Sequence, residues 1–232
     1  MSATDDDMRT RLPSAVYDLA IRLGANPGLR KSTVRLRQTG QMKEIGAVKW
    51  MPFTATQTIA TRTCDFDWRA RFGPLGMISV GDAFLNGAGQ LTVKALGIIP
   101  ITTAPNSPQL SRGELMRYLA ELAWAPDAIL LNGGLRWRVE GPDTLAVSAG
   151  VGETAAEVEL NLDSEGRIAG AFAPDRGRSV KPPYLLTPWR GRFFDYRRHQ
   201  DTWLPFAGEV GWEIEGKLIN YFRCRIENWQ AI

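Results

Sequence analysis

The sequence predicts an α+β, mainly β fold: a strongly curved, antiparallel half-barrel sheet wrapped around one or two helices. Three observations carry this expectation. Residues 64–72 alternate without a break, with Cys64, Phe66, Trp68, Ala70 and Phe72 on one face and Asp65, Asp67, Arg69 and Arg71 on the other. Such alternation marks an antiparallel sheet with one dry and one wet side. About ten strand-like segments follow one another through short turns, the pattern of an antiparallel meander. Only two segments have helical periodicity, and one of them falls midway among the strands. A sheet of this many strands curls, its apolar face needs a cover, and helices are the covers available. The 232 residues and 44% hydrophobic content suit one large domain spanning 1–232.

In chain order, residues 1–10 are acidic, poor in apolar side chains and expected to be loosely attached. Leu12–Leu23 reads as a helix with Pro13 in its first turn; Val16, Leu19, Ala20 and Leu23 share a face, and Gly24 and Pro27 close it. Val34–Met42 alternates loosely as a strand, Trp50–Phe53 forms an aromatic link, and Ala55–Ala60 is the next strand. After the strand at 64–72, Met77–Leu85 and Gln90–Leu96 flank a hairpin turn at Asn86-Gly87-Ala88-Gly89. Ser111–Trp124 is the central helix. Ser111 and Glu114 form a capping box at its start, and Pro126 ends it. Leu115, Leu119 and Leu122 fall on one side; Glu114, Arg117, Tyr118, Glu121 and Trp124 fall on another. Strands follow at Leu135–Glu140, Thr144–Ser148, Ala155–Leu162 and Arg167–Phe172. The stretch 173–188, with four prolines, reads as irregular, and three strands close the chain at Gly191–Arg198, Glu209–Ile214 and Leu218–Glu227.

Composition removes several function classes. No run approaches the roughly 20 apolar residues that cross a bilayer, and Met1–Asp7 lacks the apolar stretch of a signal peptide. Cys64 and Cys224 lie on apolar strand faces, so buried free thiols and a cytoplasmic location are expected. One histidine, His199, sits at a predicted turn with no nucleophile elbow, which argues against a serine hydrolase. One histidine and two distant cysteines make no zinc site. Gly150-Val151-Gly152 imitates part of a dinucleotide fingerprint, but the residues after it alternate as a strand instead of opening a helix. No cofactor and no metal is expected.

Basic character is local. From Arg167 to Arg198, eight basic residues face only Asp175 and Asp195, in a chain whose net charge is +3. Trp189, Phe193, Phe194 and Tyr196 lie among them. The segment admits three readings: a half-buried strand, a contact for an anionic small ligand or headgroup, and, least favoured, a nucleic-acid surface.

The central helix carries the remaining chemistry. On a solvated face, its Arg117–Glu121 and Glu114–Arg117 pairs contribute only about 0.2–0.5 kcal/mol each. Facing the hollow of the sheet, the same groups must pair and titrate abnormally. Tyr118 and Trp124 on the same stripe favour the hollow. Glu121 is then a general base or acid and Arg117 a charge stabiliser, with Tyr118 or Asp82 as helper.

A set of residues links this chain to others: Trp50–Phe53 with Ala55 and Gln57; Phe66 and Trp68; Asp82, Gly87 and Gly89; Gly113-Glu114-Leu115 and Arg117–Glu121 with Trp124 and Pro126; Trp137; Asp163, Gly166 and Arg167; Asp175-Arg176; Pro188-Trp189; Gly191, Tyr196, Gly208, Val210 and Trp212. In these the chain, from about Gly40 to Glu227, resembles a family of uncharacterised bacterial proteins. It departs from that pattern at Leu131-Asn132-Gly133-Gly134, where a proline-bearing link is expected. The family is similar in architecture to the lipoprotein-carrier half-barrel, and that similarity implies a fold without transferring a function.

Ligand contacts are expected at Trp124, Gln57, Trp68, Arg176, Trp189 and Tyr196. The expected function is a pocket for an apolar or aromatic small molecule bearing an anionic or oxygenated group. The leading form of it is a cofactor-independent acid–base enzyme of lyase or isomerase type; the alternative is a non-catalytic lipid or hydrophobic-ligand carrier. A homodimer is compatible with either.

Overall fold

The computed structural model describes residues 9–26, 28, 31–95, 99–104, 106–178 and 185–232. Most of the segment expected to be loosely attached at the start, and the middle of the proline-rich stretch, lie outside the described residues. Helix α1 (Ser14–Leu23) comes first. It buries Val16, Leu19, Ala20 and Leu23, the face its periodicity marks. Gly24 stops it with φ of 93°, where a Cβ would stand 2.1 Å from the Asp201 carbonyl; only glycine fits there.

Six strands then run outward: β1 (Thr33–Met42), β2 (Met51–Ala60), β3 (Phe66–Phe72), β4 (Ile78–Leu85), β5 (Ala88–Ala95) and β6 (Ile99–Thr103). A helical passage follows, made of α2 (Pro108–Ala120), a 3₁₀ turn (Glu121–Trp124) and α3 (Pro126–Leu131). Seven strands complete the chain: β7 (Arg136–Gly141), β8 (Thr144–Ala149), β9 (Ala156–Leu162), β10 (Ile168–Gly177), β11 (Leu186–His199), β12 (Thr202–Ile214) and β13 (Lys217–Ala231).

All strands join one antiparallel sheet in the order β6-β5-β4-β3-β2-β1-β13-β12-β11-β10-β9-β8-β7. The two halves meet at the β1–β13 seam, where Val34 faces Ala231 and Met42 faces Phe222. The sheet is not closed. Its outer strands are β6 and β7, and the helical passage carries the chain from one outer strand to the other. On β7 the side chains of Arg136, Arg138 and Glu140 are exposed. The concave face wraps the helices, with Phe66, Trp68, Ile59, Leu115, Met116, Leu119 and Leu122 buried between them. Each such side chain contributes about 1.5–3 kcal/mol by leaving water.

Several sequence expectations need correction. The central helix begins at Pro108, three residues early, because Ser107 caps it: its Oγ accepts from the Leu110 amide at 3.1 Å. Pro108 follows at a position where its fixed φ suits a helix start. Ser111 and Glu114 therefore form no capping box; Ser111 Oγ instead accepts from the Gly89 amide at 2.9 Å. Pro126 opens α3 rather than merely ending a helix. The aromatic link at 50–53 is largely strand, since β2 starts at Met51 and Phe53 is buried. Strand β6 was not anticipated. Part of the supposedly irregular stretch belongs to β10 and β11, with Pro174 taken up in a register shift between Ala173 and Arg176, where a strand tolerates proline. Cys64 lies in the β2–β3 turn and is only half-buried; Cys224 is buried, and both thiols are free. His199 ends β11 half-buried, beside the rings of Phe206 and Trp229.

Candidate ligand-binding cavity

Helix α2 sits inside the half-barrel, so nearly its whole circumference is covered. Glu114, Tyr118, Glu121 and Trp124 are all buried, as are Leu115, Leu119 and Leu122. Its polar stripe has no water to face, and its charges must find partners in the sheet.

They do so in one continuous chain. Trp68 Nε1 on β3 donates to Gln38 Oε1 on β1 at 2.9 Å. Gln38 Nε2 donates to Gln57 Oε1 on β2 at 3.3 Å. Gln57 Nε2 donates to Glu121 Oε2, and Glu121 Oε1 accepts from Arg117 Nε at 2.9 Å. Arg117 Nη1 closes the chain on Asp82 Oδ2 of β4 at 2.5 Å. The guanidinium also lies over the rings of Phe66 and Trp68, at 5.0 and 5.1 Å. Burial works against its charge, but the carboxylates of Glu121, Asp82 and Glu114 more than compensate and hold Arg117 firmly protonated.

A second ion pair adjoins the first. Arg176 is turned inward after the β10 irregularity, as bulges re-aim side chains. Its Nη2 reaches Glu114 Oε1 at 3.4 Å, and its guanidinium stacks 4.5 Å from the Trp189 ring. Glu114 lies well above the ordinary carboxyl range, first because it is buried and next because Asp82 is close; Arg176 and Arg117 only partly offset this. Glu114 Oε2 and Asp82 Oδ1 are both buried without another partner. Burial and the neighbouring Asp82 carboxylate together favour the acid form of Glu114.

Beside this network lies a cavity of about 300 Å³. Met42, Val80, Leu91, Val93, Val210 and Phe222 give it an apolar wall, and Trp68, Trp124, Trp189, Phe193 and Tyr221 an aromatic one. Arg117, Glu121, Asp82 and Arg176 reach it from the polar side. The indoles are pinned: Trp124 Nε1 donates to the Pro205 carbonyl at 2.9 Å, and Trp189 Nε1 to Tyr221 Oη at 3.2 Å. At Gly208, on the wall, a Cβ would come within 3.2 Å of the Trp124 ring.

Of the residues singled out in the sequence, Glu121, Arg117, Asp82, Trp124, Trp68, Arg176 and Trp189 line this cavity. Gln57 stands behind it, held by Glu121. Two expectations are corrected. Tyr118 turns away, its Oη donating to the Ala60 carbonyl at 3.1 Å and accepting from Asn132 Nδ2 at 3.0 Å. Tyr196 also lies elsewhere, donating to the Ile168 carbonyl at 2.7 Å beneath the Arg167 guanidinium. Burial raises both phenols above their ordinary range. Gln38, Tyr221 and Phe222 were missed. For Gln38 the signal was its place two residues after Leu36, on the inward face of β1.

The basic segment is largely neutralised within the fold. Arg167 pairs with Asp163, Arg190 with Glu213, Arg192 with Glu209 and Arg197 with Asp195.

The fold is similar to several solved structures. A LolA superfamily protein of Nitrosomonas europaea shares 8% identity at a TM-score of 0.51, covering 94% of this chain and 93% of that one. A putative outer membrane lipoprotein-sorting protein domain of Vibrio parahaemolyticus shares 9% at 0.52, covering 94% and 91%. A DUF1329 family protein of Desulfovibrio piger shares 13% at 0.51, covering 94% and 92%. No curated protein matches the chain. The expectation of a lyase- or isomerase-type enzyme is therefore corrected. Both oxygens of its intended base, Glu121, are engaged, and the similar folds include a LolA superfamily protein and a lipoprotein-sorting domain. A family model described as a family of unknown function (DUF6920) matches residues 10–230, and the chain belongs to that family.

Proposed function

We propose that this protein is a non-catalytic carrier that shelters an apolar, lipid-like small molecule inside the half-barrel. The observation that carries the reading is the cavity of about 300 Å³ between α2 and the concave sheet, walled by aliphatic and aromatic side chains. Its volume falls at the lower end of the roughly 300–1,000 Å³ typical of small-ligand sites. Likeness to a lipoprotein-sorting domain supports the same reading. The polar side adds a preference. Arg176 holds its carboxyl partner at 3.4 Å, a long contact, and Glu114 is kept toward its acid form. An oxygen-bearing head on an otherwise apolar ligand finds its donor there.

The test is displacement of a fluorescent fatty acid from the purified protein, alongside mass spectrometry of an organic extract. Wild type should retain an apolar small molecule and bind the probe. Val93→Trp, which fills the cavity, should lose binding by at least about tenfold while keeping a cooperative unfolding transition. Equal probe binding by the folded variant refutes the cavity as the site.

A further inference from the structure

The two ends of the sheet differ in kind. At one end the turns are polar: 61–65, Asn86-Gly87, Pro142-Asp143, 163–166 and Gln200-Asp201. None of the large exposed apolar side chains stands on them. The β3–β4, β1–β2, β12–β13 and β8–β9 turns lie at the other end, in that spatial order along the sheet, with Arg178 and Leu185 at the same end after β10 and before β11. Neighbouring strands are about 4.8 Å apart, so each of the first three hairpin tips stands about 10 Å from the next.

These tips gather most of the exposed aliphatic side chains. Leu75, at φ of 61° in the β3–β4 turn, is 97% exposed, and Val48 in the β1–β2 loop is 92% exposed. Met77, Ile45, Leu185 and Leu218 add to them. Holding a leucine in left-handed backbone costs conformational free energy, and full exposure forgoes the gain that burial would bring. Cations stand on or beside these turns: Lys43, Lys49, Lys94 and Lys217, with Glu44, Glu153 and Glu215 opposing. Those four lysines enter no ion pair among the described residues, unlike most arginines of the basic segment. Trp50 stands at the same end, between the Lys43 ammonium at 5.0 Å and the Arg223 guanidinium at 4.5 Å. Amphipathic indoles in that setting suit a water–lipid boundary. Met42, Val80, Val93 and Phe222 bring the cavity toward this end of the strands.

We propose that this apolar, lysine-studded rim docks on the surface of an anionic lipid bilayer. A protein partner generally meets a contiguous packed patch. Separate points with cations beside them fit lipid instead: each tip enters the acyl boundary while the lysines remain with the phosphates. The proposal goes beyond the carrier reading and does not depend on it.

Vesicle flotation tests it, with phosphatidylcholine vesicles and with equal parts phosphatidylcholine and phosphatidylglycerol. The full chain should float with the mixed vesicles and much less with phosphatidylcholine alone. The double variant Val48→Asp, Leu75→Asp should bind at least about tenfold more weakly, because two inserting side chains are gone. Lys49→Glu with Lys217→Glu should cost about tenfold and flatten the salt dependence. Val139→Asp, an exposed valine on outer strand β7, should float as wild type does, and so should the cavity-filling Val93→Trp. Failure of the wild type to float with mixed vesicles overturns the proposal. So does flotation of the Val48/Leu75 variant at wild-type strength, and so does equal loss with Val139→Asp. Loss of probe binding in Val93→Trp with flotation intact separates the two readings.

Discussion

Glu114 shows how one side chain can record its surroundings. Its sequence position says only that it lies one turn from Arg117. In the fold it is a buried acid beside Asp82, raised well above 4.5. Below that value both the folded and the unfolded chain carry the proton, and the full contribution to stability is present. As pH rises past it, the unfolded chain releases the proton and the folded chain keeps it, so stability falls until the folded group also ionises. Glu114→Gln, an isostere of the acid form, should flatten this decline, and its advantage over wild type should grow with pH in denaturant melts. A pH-independent difference between the two would mean that Glu114 titrates normally in the fold. Residue types at the cavity were readable because Glu114, Arg117 and Glu121 share a helical face with Trp124. The upward shift of Glu114 was not, because it depends on burial and on Asp82, which is 32 residues away in sequence and arrives only through the sheet.

Elements were legible where periodicity was strong and illegible where tertiary packing chose the boundary. Strand β3 and helix α1 bury the faces that their patterns mark. Helix α2 was misjudged at its start because Ser111, with Glu114 three residues on, carries a cap signature, whereas its hydroxyl is taken up by contact with β5. That contact is tight. A Cβ on Gly89 would stand 2.8 Å from Ser111 Cα and 2.9 Å from the Leu110 carbonyl oxygen. Gly89→Ala should therefore push the helix start off the sheet and destabilise the fold by about 1–3 kcal/mol. Gly141→Ala, with open space around it, should stay within about 0.5 kcal/mol. Chemical denaturation of the two variants checks the contrast. Strand β6 was overlooked for a different reason: it is five residues long and contains Pro100, and proline demotes a strand in any sequence reading.

Across the whole molecule, the curved antiparallel sheet was foreseeable from the run of hairpins, but the strand order was not. Local turns dictate each neighbour except one. The β1–β13 seam joins residues nearly the full chain apart, such as Val34 and Ala231. Closing so long a loop precedes any reward from its contacts. Refolding should therefore be slow, with hairpin amides protected before those of the seam. Pulse-labelling hydrogen exchange checks this, and simultaneous protection of β1–β13 and β4–β5 would contradict it.

An open sheet also has two margins at which another molecule could continue the hydrogen-bond ladder. On β7 the exposed Arg136, Arg138 and Glu140 occupy that margin, and Arg138 is already tied to Glu140 and Glu157. A second copy arriving there in parallel alignment would set like charges side by side and strand them away from water. On the β7 margin, then, the exposed charges disfavour a second copy of the same strand laid alongside it in parallel.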